Sequence, residues 1–311
     1  MKKIIILKHS DGELANQLWN FISIYAYCLE KKYQCLNYSF FEYGNKFGLS
    51  SGSKIIDFVF FKPFKNKVTR RYAKKTIFFR KLYKMFYLLL IFFLKKRVFI
   101  YEPNNYSPYY LPTTNKNENE FLKIEKKFDT IYLCGWLFRN AEGIVKYRQA
   151  ILDYFKPEKE ISDKIEKKIN ELKIKYNKII GVHIRQGDYK TFKQGIYWFD
   201  QREVRKIINQ YIEHFQIDVK GALFFIASDG KIDNQYFNDL NYLISEGNAI
   251  EDLFSLSKCD IILGSDSSFG DIAAYFGNIP HIIFKKEDID WQFYDNKKQY
   301  FPNKYCSMVH Y

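Results

Sequence analysis

Beyond Lys178 the chain alternates short runs of β-branched and aromatic residues with longer stretches of helical spacing, an order that few folds accommodate. The runs Ile179–Ile184, Ala222–Ala227, Tyr242–Ile244, Asp260–Leu263 and His281–Phe284 read as strands. Arg202–Phe215, Gln235–Leu240, Glu251–Ser257 and Phe269–Phe276 carry apolar residues spaced as on a helix face. Such alternation predicts a parallel, doubly wound α/β sheet. Parallel strands end together, and ligands of open α/β sheets bind beyond those carboxyl ends. Arg185, Asp229 and Ser265–Phe269 each follow a predicted strand, so one sheet edge collects all three.

The stretch Lys178–Tyr189 carries the densest chemistry. His183 and Arg185 are two apart, which on a strand puts them on one face. Gln186-Gly187-Asp188 is a turn signal beyond the strand end. Arginine there is a planar, permanently charged donor suited to a diphosphate; alternatively Arg185 and Asp188 form a surface ion pair. His183 reads as a site residue or as a satisfied core histidine. Ser267, Ser268 and Phe269 precede a helix and offer hydroxyls and free N–H groups to an anion, or Ser267 is simply an N-cap. Asp229 stands where acidic residues contact a ribose or base edge. Asp188 is the first candidate for a base that takes an acceptor's proton, with Asp11 and Glu13 as alternatives.

The N-terminal half is less regular. Lys2–Leu7 reads as a strand, His9–Glu13 as a polar turn and Asn16–Lys31 as a helix. Asn16 and Gln17 then lie at a helix N-terminus, facing a donor phosphate or sugar, or else Asn16 caps its own helix. Ile144–Phe155 and Glu160–Lys175 read as helices separated by Pro157, and sheet signals restart at Lys178. This predicts two domains, 1–157 and 158–311.

Charge narrows the partners. The formal net charge is +14, and from Lys62 to Arg97 there are thirteen Lys or Arg and no Asp or Glu. Acidic partners follow: phosphorylated donors, anionic lipid or nucleic acid. Within that stretch Leu82–Leu94 is apolar apart from Lys84, too short for a span of about 20 residues, and basic on both flanks. An interfacial helix on an anionic membrane fits, as does a buried helix with a basic rim; no recognised nucleic-acid module surrounds it, so no nucleic acid is expected. The five cysteines, Cys28, Cys35, Cys134, Cys259 and Cys306, are odd in number and include no Cys-x-x-Cys, which argues against a disulfide framework or zinc site. Asp288-Ile289-Asp290 is the one Asp-x-Asp and lies away from the other motifs, so no metal is expected. Met1–Leu7 is too short an apolar run for a signal peptide, and the expected location is cytoplasmic, or peripheral on the inner membrane face.

Four stretches, in order, resemble the bacterial α-1,2-fucosyltransferase family. His183-Ile184-Arg185-Gln186-Gly187-Asp188 is similar to its His-x-Arg-Arg-x-Asp signature, and Gly12-Glu13-Leu14-Ala15-Asn16-Gln17-Leu18 to its N-terminal Gly-Gly-Leu-Gly-Asn-Gln-Met loop. Leu223–Asp229 resembles its Phe-Ser-Asp strand end, and Ser265-Asp266-Ser267-Ser268-Phe269 its Asn-Ser-Ser-Phe-Ser motif. The resemblance implies a GT-B fold of two Rossmann-like domains facing a cleft. The first would be acceptor-side, with a basic, apolar, membrane-facing insertion at about 65–100, and the second would bind the nucleotide sugar. It implies metal-independent, inverting transfer of fucose from GDP-fucose, with no other cofactor, to a hydroxyl such as galactose O2. The acceptor would be a surface polysaccharide of the O-antigen kind or a lipid-linked oligosaccharide. The family's site maps onto Asn16, His183, Arg185, Asp188, Asp229, Ser267, Ser268 and Phe269. Gln186 replaces the family's second arginine and Gly270-Asp271-Ile272 its Ser-Trp-Trp, which leaves another GDP-sugar open as donor.

Overall fold

The computed structural model describes residues 1–8, 12–65, 73–94, 98–101, 108–112, 118–286 and 288–302. The chain divides into two compact units, the first ending at Glu158 and the second starting at Lys159.

In the first unit β1 (Lys3–Lys8), β2 (Gln34–Asn37), β3 (Val98–Tyr101) and β5 (Thr130–Cys134) form a parallel sheet in the order β2-β1-β5-β3. Two short strands, β4 (Tyr109–Tyr110) and β6 (Phe138–Arg139), pair separately. Ile4–Leu7 of β1 are buried, as a central strand covered on both faces requires. Helix α1 (Leu14–Lys31) runs from the end of β1 and stops where Lys32 turns left-handed at φ 55°. Helix α2 (Lys74–Phe93) extends the predicted apolar stretch by two turns at its N-terminal end. It packs Tyr83 and Tyr87 onto Ile5, Leu7, Tyr132, Phe41 and Phe60, and the Tyr83 hydroxyl donates to the Leu7 carbonyl at 2.5 Å. Arg80 pins the same helix through two hydrogen bonds to Glu42, at 2.5 and 2.8 Å. After α3 (Glu118–Lys127), the helix expected at Ile144–Phe155 is broken at Tyr147 into α4 (Ala141–Lys146) and α5 (Arg148–Tyr154). Strands β2 and β3 were not legible in the sequence, being only four residues each with neither alternation nor a long apolar run.

In the second unit α6 (Lys159–Lys175) leads into β7 (Lys178–Ile184), the middle strand of an all-parallel five-stranded sheet. Its other strands are β8 (Ala222–Ser228), β9 (Tyr242–Ile244), β10 (Ile261–Gly264) and β11 (His281–Ile283), in the order β11-β10-β7-β8-β9. The chain steps outward from β7 through β8 to β9, then returns to the other side of β7 with β10 and β11. The sheet therefore reverses direction between β7 and β10, which is where doubly wound sheets open a crevice. Helices α7 (Gln201–His214), α8 (Ala249–Leu256) and α9 (Ser268–Gly277) begin at Asp200, Asn248 and Ser267. The first two starts are full capping boxes, with Glu203 and Glu251 returning the hydrogen bond. The expected helix at Gln235–Leu240 is only a 3-10 turn, Asn234–Tyr236, with Phe237 dropping into the core. Gly181 lets β7 pass close to its neighbours, since a side chain there would meet Leu256 Cδ2 at 2.9 Å and Cys259 Sγ at 3.3 Å.

Candidate active site

The reversal point concentrates the motifs. β7 and β10 pair from Ile180 to His183, and Ser265 then ties their ends together. Its N–H donates to the His183 carbonyl at 3.0 Å and its hydroxyl accepts from the Arg185 N–H at 3.0 Å. Ser228 does the same on the other side, donating to the Ile184 carbonyl at 2.8 Å. Arg185 therefore leaves the strand end on a fixed backbone, between the ends of β8 and β10.

Its guanidinium is held by two carboxylates, Asp188 Oδ1 at 2.8 Å and Asp229 Oδ2 at 2.9 Å, and lies 5.3 Å from the centre of the Tyr189 ring. Burial opposes its charge, but Asp229 and then Asp188 outweigh that and hold it protonated. The Arg185 side chain is 24% exposed, so its donors are within reach of a ligand. Asp229 Oδ1 also accepts from the N–H groups of Gln186 at 2.6 Å and Gly187 at 3.2 Å. Both oxygens of Asp229 are thus engaged in shaping the Arg185 turn. Gly187 leaves room for that carboxylate, since a Cβ there would fall 2.6 Å from Asp229 Oδ2 and displace it. Asp188, more exposed, makes a single contact with Arg185 and opens a 3-10 turn.

His183 lies just inside. Its ring is buried and stacks on Phe269 at 5.0 Å and 27°, and its Nδ1 has no hydrogen-bond partner among the described residues. Burial, then the charges of Arg185 and His281, push its pKa from 6.5 down to about 3, so the imidazole is neutral. Across the reversal point Ser267 caps α9, its hydroxyl accepting from the Phe269 N–H at 3.2 Å. Ser268 begins the helix and both serines are buried. This N-terminus offers the partial positive charge of α9 beside the Arg185 strand.

His183, Arg185, Asp188, Asp229 and Ser267–Phe269 are thereby brought to one edge. Asn16 belongs to the first unit and sits in the first turn of α1, past the N-cap Glu13, so it does not cap that helix. A side chain at Gly12 would fall 2.8 Å from Asn16 Cβ, and Gln17 donates to the Gly12 carbonyl at 2.9 Å. Gly12 therefore lies against the helix start. Glu13 accepts from the Tyr43 hydroxyl at 2.8 Å; Asp11 lies outside the described residues. Asp290 caps the turn Trp291–Tyr294, and among the described residues no three His, Cys, Asp or Glu side chains converge as metal ligands would.

Three roles escaped the sequence reading, one of them that of Ser265, a residue already placed at this edge. Ser265 and Ser228 act through hydrogen bonds at strand ends, a context that spacing alone does not single out. Tyr189 lies under the guanidinium and donates to the Asp266 carbonyl at 3.3 Å; its place directly after Asp188 was the available signal. The family departures also find a local reason. A side chain at Gly270 would meet the His281 ring at 2.7 Å, and Asp271 turns inward, fully buried, accepting from the Tyr300 hydroxyl at 3.2 Å.

Comparison with known structures gives POFUT1 in complex with GDP-fucose, with a TM-score of 0.52 and 12% identity over 91% of this chain and 98% of that one. A fucosyltransferase NodZ from Bradyrhizobium has a TM-score of 0.51 and 14% identity over 93% and 96%. A mutant of Arabidopsis thaliana FUT1 in complex with GDP has a TM-score of 0.51 and 12% identity over 92% and 71%. At such identities the likeness is one of fold, here the GT-B type with two Rossmann-like units. No curated protein sequence matches. Residues 105–305, well over half the chain, match the family model described as Glycosyl transferase family 11. The chain therefore belongs to glycosyl transferase family 11, a family of fucosyltransferases.

Proposed function

We propose that this enzyme moves fucose from GDP-fucose, with inversion and without a metal, to a hydroxyl of an oligosaccharide. Galactose O2 of a surface-polysaccharide or lipid-linked acceptor is the expected target. The observation that carries the reading is the Arg185 guanidinium, fixed at the sheet reversal between β7 and β10 beside the α9 N-terminus. Glycosyl transfer needs positive charge where the diphosphate departs, and fixed donors supply it in place of a metal ion.

Arg185 is balanced by two carboxylates. A diphosphate competes for the same donors. Asp188 is the partner to give way, because it is more exposed and holds no backbone N–H of the turn, whereas Asp229 accepts two. An ion pair this exposed contributes about 0–1 kcal/mol, so exchanging it costs little. Asp188, once released, is an unpaired carboxylate at the site and the candidate base for the acceptor hydroxyl. Asp229 stays with the turn as a positioning residue, and His183, neutral and stacked on Phe269, holds the α9 start against β7. Ser267, Ser268 and Phe269 offer hydroxyl and N–H donors to the phosphates.

The test is GDP release from GDP-fucose with galactosyl acceptors in the presence of chelator. Arg185→Ala should lose about 10²–10³ in kcat with folding intact, the usual consequence of removing one fixed donor from a developing charge. Turnover unchanged in Arg185→Ala rejects the assignment. A second reading, transfer from another GDP-sugar, is favoured by Gln186, which stands where the family carries a second arginine. A thermal-shift series with GDP-fucose, other GDP-sugars, GDP, UDP, NAD and ATP separates the two, and no GDP response at all points to a non-catalytic basic protein.

A further inference from the structure

The outward face of α2 takes no part in the site. Its inward face, Tyr83 and Tyr87 with half-buried Phe79, Phe86 and Leu90, packs on the first sheet. On the opposite side Phe78, Met85, Leu88, Leu89, Phe92 and Phe93 are exposed, Met85 to 63% and Phe93 to 76%. Phe78, Met85 and Phe92 are seven residues apart and so lie in one line along the helix. Lys74 and Lys81 precede Phe78 and Met85 by four residues, one turn along the same face, and Lys84 lies beside them, all exposed. A stripe of large apolar side chains in water is unfavourable, and such patches mark a contact surface.

We propose that this face of α2 lies on an anionic phospholipid surface, apolar stripe in the headgroup boundary and lysines on the lipid phosphates. Charge selects that occupant. From Lys62 to Arg97 the sequence has thirteen basic and no acidic residues, so the partner must be negative. A second copy of the same face would set lysine against lysine, and nucleic acid would leave Leu88, Leu89 and Phe92 in water. Lys81, central in the stripe, extends its alkyl stem along its apolar neighbours and its ammonium toward the phosphates. No helix among the described residues is long and apolar enough to cross a membrane, which leaves α2 lying along the surface. The inference is independent of the donor: it concerns where the protein works, and its readout is not turnover.

The experiment is flotation of the full chain with phosphatidylcholine vesicles, with and without phosphatidylglycerol, and with added salt. The protein should float with the anionic vesicles only and be released by salt. Leu88→Glu/Phe92→Glu should abolish flotation. Lys81→Gln and Lys84→Gln should each weaken it by about fivefold. All four positions concerned are exposed, and unchanged circular dichroism and GDP thermal shift verify folding. Absence of flotation, equal flotation of wild type and the double glutamate variant, or a wild-type dimer that this variant dissociates in light scattering would each overturn the proposal.

Discussion

Asp229→Asn and Asp229→Ala separate two roles that the sequence alone leaves indistinguishable, contact with the nucleotide and support of Arg185. In the structure Oδ1 receives two backbone N–H groups and Oδ2 pairs with Arg185 at 2.9 Å. Asparagine keeps Oδ1 for the two N–H groups, but its amide NH2 replaces the oxygen that faces Arg185, so the ion pair is lost and the guanidinium turns to Asp188 and solvent. The ion pair, with both side chains about a quarter to a third exposed, contributes roughly 0.2–1 kcal/mol, so Asp229→Asn should cost the fold less than about 1 kcal/mol. Its effect on the donor has the opposite sign. A carboxylate sharing a guanidinium with a phosphate repels it from about 6 Å, and at an effective dielectric of about 60 that amounts to roughly 1 kcal/mol. Removing the charge should therefore leave GDP affinity unchanged or raise it up to about fivefold. Alanine removes the acceptor as well; the Gln186–Asp188 turn loosens, and GDP should bind about tenfold more weakly. Titration calorimetry with GDP, alongside urea denaturation, measures both. If the asparagine variant binds GDP tenfold more weakly while remaining folded, Asp229 touches the nucleotide and the positioning role is wrong.

The remaining predictions use the same neighbourhood. Because the folded pKa of His183 is depressed, its contribution to stability is fully present above pH 6.5 and is lost as pH falls from 6.5 toward about 3. Urea midpoints across that window should fall less steeply in His183→Phe, by up to about 1.4 kcal/mol per pH unit; parallel profiles would show that the wild-type imidazole is not buried neutral. Gly270→Ala should destabilise the second unit by about 1–3 kcal/mol, since the added methyl falls 2.7 Å from His281; a neutral change in denaturation midpoint would contradict that packing. Tyr189→Phe should retain near-normal GDP affinity because the ring remains under Arg185, while Tyr189→Leu should weaken it by about threefold to tenfold; identical affinities would remove the cation–π contact from the account.

The second unit was the more legible half because its physics is local and repeated. Four of its five strands are largely apolar runs buried on both faces, so β7, β8, β10 and β11 fall within a residue or two of the runs that announced them. The edge chemistry follows from topology: once strands are parallel, whatever follows them meets at one end. Hydrogen-bond direction is what no run of residues announces. Arg185 and Asp229 were both visible, but whether a carboxylate beyond β8 faces a nucleotide or bends back to a turn beyond β7 depends on a register across two strands. In the first unit β1 and α1 were legible, but β2, β3 and the core face of α2 were not, for a related reason. Its strands β2 and β3 gain stability from neighbours distant in sequence, and its largest helix carries apolar residues around its whole circumference, so neither periodicity nor length said which face was core. Tyr83 and Tyr87 turn to the sheet and Met85 and Phe92 turn away, although all four are large and partly apolar. Position on the helix decides it: Tyr83 and Tyr87, four apart, share the face turned to the sheet, where the Tyr83 hydroxyl bonds to the Leu7 carbonyl, and Met85 and Phe92, seven apart, share the opposite face. A helix whose outer face was left greasy in the midst of thirteen positive charges is under a constraint that folding alone does not supply.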